Sequence, residues 1–168
     1  MKRWYVVHTQ PRAEDRAQWH LENQGFDCFV PRCRRTRRHA RRTDTVLEPL
    51  FPRYLFAYFD ADASRWLAIN SSRGVVALLT DGTRPLPIPS DIVEKLIAES
   101  DAQGVTPLAS LGMFWKGRKV RIKSGPFAGQ MGEVAEVFAK GRDRVHVLLS
   151  MLGVQTRMQL PSYALETA

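Results

Sequence analysis

The segment from residue 107 to the end of the chain constrains the fold more than any other part of the sequence. It holds seven of the eleven glycines, which separate short runs of strand-like composition at 119–123, 132–138, 145–149 and 154–160. Glycine suits the tight turns between short strands, whereas each glycine inside a helix costs about 1 kcal/mol relative to alanine. We therefore predict a small all-β barrel that is stable in the free protein.

The part of the chain before residue 107 combines strands with helices. Residues 3–9 and 54–59 are rich in aromatic and β-branched residues and predict strands, and shorter strands are predicted at 26–31, 46–49 and 75–80. Helices are predicted from Pro11 to about Gln24, around 63–69, and from Asp91 to about Ser100. The sequence therefore predicts an α/β domain of about 100 residues, followed by the barrel.

Positive charge is concentrated in two parts of the 168-residue chain. Lys and Arg number 25 against 17 Asp and Glu, which gives a net charge of +8. Residues 32–42 contain seven arginines and no acidic residue, and residues 107–168 carry a net charge of +5. This pattern favours a polyanionic partner such as nucleic acid, contacted through its phosphates without base specificity, and a solvated basic loop is the alternative.

Several classes of protein are disfavoured by the sequence. The longest uninterrupted apolar run, at 54–59, has six residues, which is too short to span a bilayer, and the N-terminal residues show no signal-peptide pattern. Cys28, Cys33 and His39 match no common zinc-binding spacing. No carboxylate pair lies near a base or a glycine-rich phosphate loop. The sequence therefore predicts a cytoplasmic protein, without metal or cofactor, that is not an enzyme.

Two stretches are candidate binding surfaces. In the apolar stretch 50–59, strand alternation places Tyr54, Phe56 and Tyr58 on one face, which either docks on a partner or is buried like the other face. On the first helix, Arg12, Arg16 and His20 share a face with Trp19, whose ring could stack on a base. The alternative for this helix is an ordinary solvated face.

The glycine pattern and several motifs resemble known proteins. The segment KVRIKSGPFAGQMGEVAEVF at 119–138 resembles a KOW motif, in which two strands flank a loop that ends in a required glycine, here Gly132. Together with KRWYVV at 2–7, LFPRYLF at 50–56 and RGV at 73–75, it resembles the NusG family over essentially the whole chain. The motifs RAQ at 16–18, HLE at 20–22, EPLFP at 48–52 and IN at 69–70 resemble the RfaH-like, operon-specific branch.

This resemblance implies a domain organisation and a protein partner. The implied fold class is α+β, in which a sandwich of helices on an antiparallel sheet is followed by a small all-β KOW barrel. The implied boundaries are an N-terminal domain at 1–101, a linker at 102–110 and the KOW barrel at 111–168. The N-terminal domain would bind the clamp helices of RNA polymerase. The residues implied in that contact are Phe51, Pro52, Tyr54, Phe56, Ile92, Val93, Leu96 and Ile97.

The resemblance also implies contacts with DNA. Residues of the first helix and of the loop before residue 74 would touch the displaced non-template strand, and arginines at the tip of a hairpin would approach the upstream duplex. The first group is Arg12, Arg16, His20, Asn70 and Arg73, and the second is Arg35, Arg37 and Arg38. Gln10 departs from the basic residue expected at its position.

The implied function is transcription elongation and antitermination, with suppression of pausing and no catalysis. The KOW barrel would bind Rho or a small-subunit ribosomal protein, and the chain would act as a monomer. Two alternatives remain open at this point: a housekeeping NusG-type factor, and a ribosome- or RNA-binding KOW protein.

Overall fold

The computed structural model of the chain describes residues 1–108, 112, 114–137, 144–151 and 154–168, with only the backbone of Arg38 and Met151. Contacts divide the chain into two units, which are described separately. The first comprises Met1–Arg32, Pro49–Ala98 and Ala102–Gly104. The second comprises Cys33–Glu48, Glu99–Asp101 and Val105–Ala168. Among the described residues, no helix has the length and apolar character needed to cross a membrane.

An antiparallel sheet forms the centre of the first unit. Its strands are β1 (Arg3–Thr9), β2 (Asp27–Phe29), β5 (Tyr54–Phe59), β6 (Val75–Leu78) and β7 (Pro87–Ile88). In the part of the unit that is described, the order is β2-β5-β1-β6, and β7 also pairs with β1. One face of this sheet is covered by helix α1 (Glu14–Glu22), which buries Ala17 and Leu21 in a shared core with Leu55, Ala57 and Phe59. The face of β5 that carries Leu55, Ala57 and Phe59 therefore lies in the core, in agreement with the alternation predicted for residues 54–59.

Helix α1 begins three residues later than the sequence predicts. The backbone N–H groups of Thr9 and Gln10 donate to the carbonyls of Arg53 and Gly74, so this segment cannot enter a helix. The chain then turns through Arg12, whose φ of +58° is incompatible with a right-handed helix. Arg12 therefore precedes α1 and does not share its exposed face with Arg16 and His20.

The remaining helices of the first unit follow the sequence prediction more closely. The predicted helix at 63–69 is a 3-10 helix at Trp66–Ser71. Helix α2 spans Ser90–Glu99. Asp101 then closes a tight turn, because its side chain accepts from the N–H of Val105 and its own N–H donates to the Val105 carbonyl. Val105, Thr106 and Leu108, within the predicted linker, are buried.

The second unit contains the predicted barrel. Its strands are β8 (Lys119–Ile122), β9 (Met131–Val137), β10 (Arg144–Met151), β11 (Val154–Pro161) and β12 (Leu165–Thr167), which the sequence did not predict. Over the described residues they form one antiparallel sheet in the order β11-β10-β9-β8-β12. The apolar segment at 145–152 has a composition that would also suit a helix, and its residues 145–151 form a strand. Residue 152, Phe138 at the end of a predicted strand, residues 109 and 110 at the end of the predicted linker, and residue 111 at the start of the predicted barrel lie outside the described residues.

The arginine-rich run forms strands and not a loop. Strands β3 (Arg32–His39) and β4 (Arg42–Pro49) pair as a two-stranded sheet. The turn between them contains Ala40, at a φ of +48°. Within the second unit, the Thr36 hydroxyl donates to the carbonyl of Tyr163 at 3.0 Å. The structure thus confirms the predicted α+β class with an all-β C-terminal part.

Candidate functional site

A rigid turn presents the exposed aromatic residues at the start of β5. Arg53 lies at the centre of this turn with a φ of +70°. Its N–H donates to the carboxylate of Glu14, the first residue of α1, at 2.7 Å, and its carbonyl accepts from the N–H of Thr9 at 2.8 Å. The carboxylate of Glu14 is buried. The turn is therefore fixed by hydrogen bonds to both β1 and α1.

The structural role of Glu14 depends on a partner 39 residues away in the sequence. We expect Glu14→Ala to destabilise the first unit by about 2 kcal/mol, because the Arg53 N–H is left without its acceptor. Hydrogen exchange at the Arg53 amide, followed in the full chain, measures this loss directly. Glu14→Gln, which keeps an acceptor oxygen, is expected to lose less.

Glu22→Ala is the matched control for this prediction, because it makes the same change on the exposed face of the same helix. Glu22 accepts only from the neighbouring Gln18 side chain, at 2.8 Å, among the contacts described for it. Equal loss of Arg53 protection in Glu14→Ala and Glu22→Ala would contradict the anchoring role of Glu14.

The predicted polymerase-binding residues divide into exposed and buried groups. Phe51 is 42% exposed and Tyr54 is 40% exposed, with the Tyr54 ring stacked on His8 at 5.1 Å. Pro52, Ile92 and Ile97 are also exposed. Phe56 is only 7% exposed, contrary to the expectation that it faces a partner. It lies in mid-sheet, paired with β1 and β2 on either side, and the Phe51 ring packs edge-on against it.

Helix α2 contributes less exposed apolar surface than the sequence predicted. Val93 and Leu96 are buried, so they are not available for contact with a partner. Ile92 and Ile97 are five residues apart, which separates them by about 140° around the helix axis. They therefore flank the buried stripe on its two sides and do not form one continuous face.

The predicted DNA-binding residues of the first unit are brought together by close backbone contacts. Gly74 has a φ of +87°, and a Cβ there would lie 3.1 Å from the Ala17 nitrogen and 3.2 Å from the Ala13 carbonyl oxygen. Glycine thus lets the loop carrying Arg73 approach α1 next to Arg16. Arg16 donates to the side chain of Gln10 at 3.0 Å, which fixes the guanidinium at the start of the helix.

A second tie connects this loop to the end of α1. The Gln24 amide donates to the carbonyl of His20 at 3.0 Å and to the hydroxyl of Ser72 at 2.8 Å. Asn70 accepts from the Leu78 N–H at 2.7 Å, so its side chain also holds the loop to β6. We refer to Arg16, Trp19, His20, Asn70 and Arg73 as the helix–loop surface.

The hairpin arginines are arranged along β3 and not at the hairpin tip. Arg35 lies 3.7 Å from the carboxylate of Glu48 on β4, which partly compensates its charge. Arg37 is exposed. The side chain of Arg38 lies outside the described part of the structure. Of the two arginines whose side chains are described, Arg35 and Arg37, Arg37 is therefore the one more available to a partner.

Metal binding by the cysteines receives no support from the geometry. Among the described residues, no three His, Cys, Asp or Glu side chains are grouped in a way that could hold an ion. Burial, reinforced by the Glu22 and Asp27 carboxylates, raises the pKa of the Cys28 thiol to about 12. The Cys28 side chain is therefore a neutral thiol at neutral pH.

Two family models match the chain. Residues 2–97 match the family described as "Transcription termination factor nusG", and residues 116–147 match the KOW motif. The first match covers more than half of the chain, and it ends just short of the last residues of α2. The chain belongs to the NusG family of transcription termination and antitermination factors.

Several relatives and solved structures are similar to the chain over most of its length. The transcription termination/antitermination proteins NusG of Staphylococcus aureus strains Mu50 and N315 are each 28% identical over 171 aligned residues, covering 95% of this chain and 92% of theirs. A structure of Thermotoga maritima NusG, concerned with domain interaction, matches 99% of this chain and 97% of its own at 23% identity and a TM-score of 0.45. A structure of the MjSpt4:Spt5 complex matches at 16% identity and a TM-score of 0.38, covering 98% and 95% of the two chains.

Proposed function

We propose that this chain is a specialised, RfaH-like member of the NusG family that binds RNA polymerase and DNA together and suppresses transcriptional pausing. The apolar patch formed by Phe51, Pro52 and Tyr54 contacts the clamp helices of the polymerase. The helix–loop surface contacts the displaced non-template strand, and Arg35 and Arg37 contact the upstream duplex through its phosphates.

The observation that carries this proposal is the fixed connection between the two surfaces. Glu14 begins the helix that presents Arg16 and His20, and its carboxylate holds the turn that presents Phe51 and Tyr54. One rigid unit therefore offers an apolar patch suited to a protein and a basic surface suited to single-stranded nucleic acid. A protein that only bound RNA or the ribosome would not need both surfaces on one unit.

The mechanism requires binding energy and no chemical step. A factor that contacts the polymerase and the strand it displaces is more stably bound to the closed, elongating complex than to an opened one. By linkage, it shifts the polymerase towards that closed state by its difference in affinity for the two states. Paused complexes in which the clamp has opened then become less populated.

The other parts of the proposal follow the family resemblance. The chain acts as a cytoplasmic monomer, with an N-terminal domain at 1–101, a linker at 102–110 and a KOW barrel at 111–168 that binds Rho or a small-subunit ribosomal protein. A housekeeping NusG is the second candidate, because the relatives that match over most of the chain carry that name.

Capture of RNA polymerase by the full chain, followed by crosslinking to the exposed DNA, tests the proposal. We expect the polymerase to be retained and the crosslinks to fall on the non-template strand. Capture of ribosomes without polymerase would contradict the proposal. If the chain bound elongation complexes with equal affinity whatever their DNA sequence, the housekeeping alternative would be favoured.

The two arginine groups should respond differently to substitution. We expect Arg16→Ala or Arg73→Ala to reduce recruitment at a preferred DNA element more than elsewhere, since these residues lie on the helix–loop surface. We expect Arg37→Ala to weaken binding on all sequences alike and to lower the salt-dependence slope by about 0.9, as removal of one duplex phosphate contact does. Titrations on complexes with different non-template sequences, at several salt concentrations, measure both effects.

The exposed Arg144, at the start of β10 in the barrel, provides the control: Arg144→Ala should change neither quantity. Equal losses on every sequence from both arginine groups would argue against a preferred element.

A further inference from the structure

The most exposed aromatic ring of the first unit belongs to Trp19. Its side chain is 62% exposed, whereas Trp4 is buried in the same unit and Trp66 packs against the core. On α1 it lies opposite the buried residues Glu14, Ala17 and Leu21, so the packing of this helix does not need it. An indole in this position leaves an apolar ring in water without contributing to the core.

The surroundings of Trp19 are suited to single-stranded DNA. Arg16 lies three residues before it and Asn23 four residues after it, so both flank the ring on the helix surface. The His20 ring meets the indole at 84° with centroids 4.7 Å apart, so the two rings are not stacked on each other. The nearby carboxylates have partners: Asp15 pairs with Arg32, and Glu22 accepts from Gln18.

We infer that Trp19 stacks on a nucleobase of the displaced single strand and is a sequence-tolerant affinity determinant of the helix–loop surface. The indole supplies the stacking face, while Arg16 and Arg73 on the same surface contact the backbone phosphates. This inference rests on the proposed contact between that surface and DNA. A base is preferred to a protein as the occupant because the ring lies beside Arg16, His20 and Asn23 and not among other exposed apolar side chains of its helix.

Binding of the full chain to a single-stranded oligonucleotide tests the stacking contact without polymerase. Loss of one base stack is expected to weaken affinity about tenfold in Trp19→Ala, and Trp19→Phe, which keeps a ring, should stay within about threefold of the unsubstituted chain. The slope of affinity against salt should be unchanged in Trp19→Ala and lowered by about 0.7 in Arg16→Ala, since only the second variant removes a phosphate contact. Trp115→Ala, at an exposed tryptophan of the second unit, is the matched control and should bind like the unsubstituted chain.

An elongation complex carrying 2-aminopurine in the displaced strand provides the second measurement. We expect the full chain to quench the fluorescence of one 2-aminopurine position, and Trp19→Ala to remain bound to polymerase without quenching it. Equal oligonucleotide affinity of Trp19→Ala and the unsubstituted chain would overturn the inference. If Trp19→Ala bound polymerase free of nucleic acid more weakly than the unsubstituted chain does, the inference would be overturned, because Trp19 would then contact the protein. Binding to the oligonucleotide with no affinity for polymerase would support the inference and refute the proposed function.

Discussion

Replacing Tyr54 by aspartate is expected to weaken the affinity of the chain for RNA polymerase about thirtyfold, which corresponds to about 2 kcal/mol. The ring is 40% exposed at the first residue of β5, and its backbone follows the turn held by Glu14. A charge at the centre of an apolar interface would have to be desolvated without a partner, and the aromatic contact would be lost as well. Equilibrium binding of polymerase to the full chain measures the effect.

Val154→Asp is the matched control for this substitution. Val154 is an exposed apolar residue at the start of β11, in the second unit, so Val154→Asp introduces the same charge at a residue that is not part of the proposed patch. Circular dichroism should show that both variants keep the fold, because neither side chain belongs to a buried core. Unchanged polymerase affinity in folded Tyr54→Asp would remove the patch from the proposed interface.

The largest expected effect on stability is that of Gly132→Ala in the barrel. A Cβ at this position would lie 2.4 Å from a methyl carbon of Val147 and 2.7 Å from one of Leu149, both on the paired strand β10. Because Val147 and Leu149 are fully buried, neither can move away without disturbing the core. We expect a loss of about 3 kcal/mol or more in the free energy of opening of the barrel, measured by hydrogen exchange of the β9 and β10 amides in the full chain.

Gly129→Ala separates this steric effect from backbone strain. Gly129 lies in the turn before β9 at a φ of +89°, with open space around the position of a Cβ. Its substitution should therefore cost only about 1 kcal/mol, through the unfavourable backbone conformation. If the two variants lost equal stability, the close packing around Gly132 would not be the reason for a glycine there.

Gly132 also illustrates what the sequence could and could not predict. The glycine pattern identified the barrel and the special position, and strands β8 to β11 lie close to the predicted runs. From the sequence, a required glycine at the end of a KOW loop is expected to supply a backbone conformation that bulky residues cannot adopt. The structure gives a different reason, namely the approach of Val147 and Leu149 across the strand pair. Such a contact depends on register, which local composition does not determine.

The candidate surfaces show the same limit. Alternation correctly assigned the core face of β5, since it depends only on position along one strand. It did not predict that Phe56 would be buried while Tyr54 stayed exposed, because that difference arises from neighbouring strands and the Phe51 ring. The start of α1 and the position of Arg12 were likewise set by hydrogen bonds to Arg53 and Gly74, which are distant in sequence.

The central claim is that one unit binds polymerase and the displaced strand at once and thereby suppresses pausing. Single-round transcription through a pause site, with the full chain, Tyr54→Asp and Arg16→Ala compared at equal concentration, tests it most directly. We expect the full chain to shorten the pause, and the Tyr54→Asp variant to leave the pause lifetime nearly unchanged at any sequence. The Arg16→Ala variant should shorten the pause less than the full chain does, and this difference should be largest where a preferred element is displaced. A pause lifetime that the full chain leaves unchanged or lengthens, while remaining bound to polymerase, would contradict it.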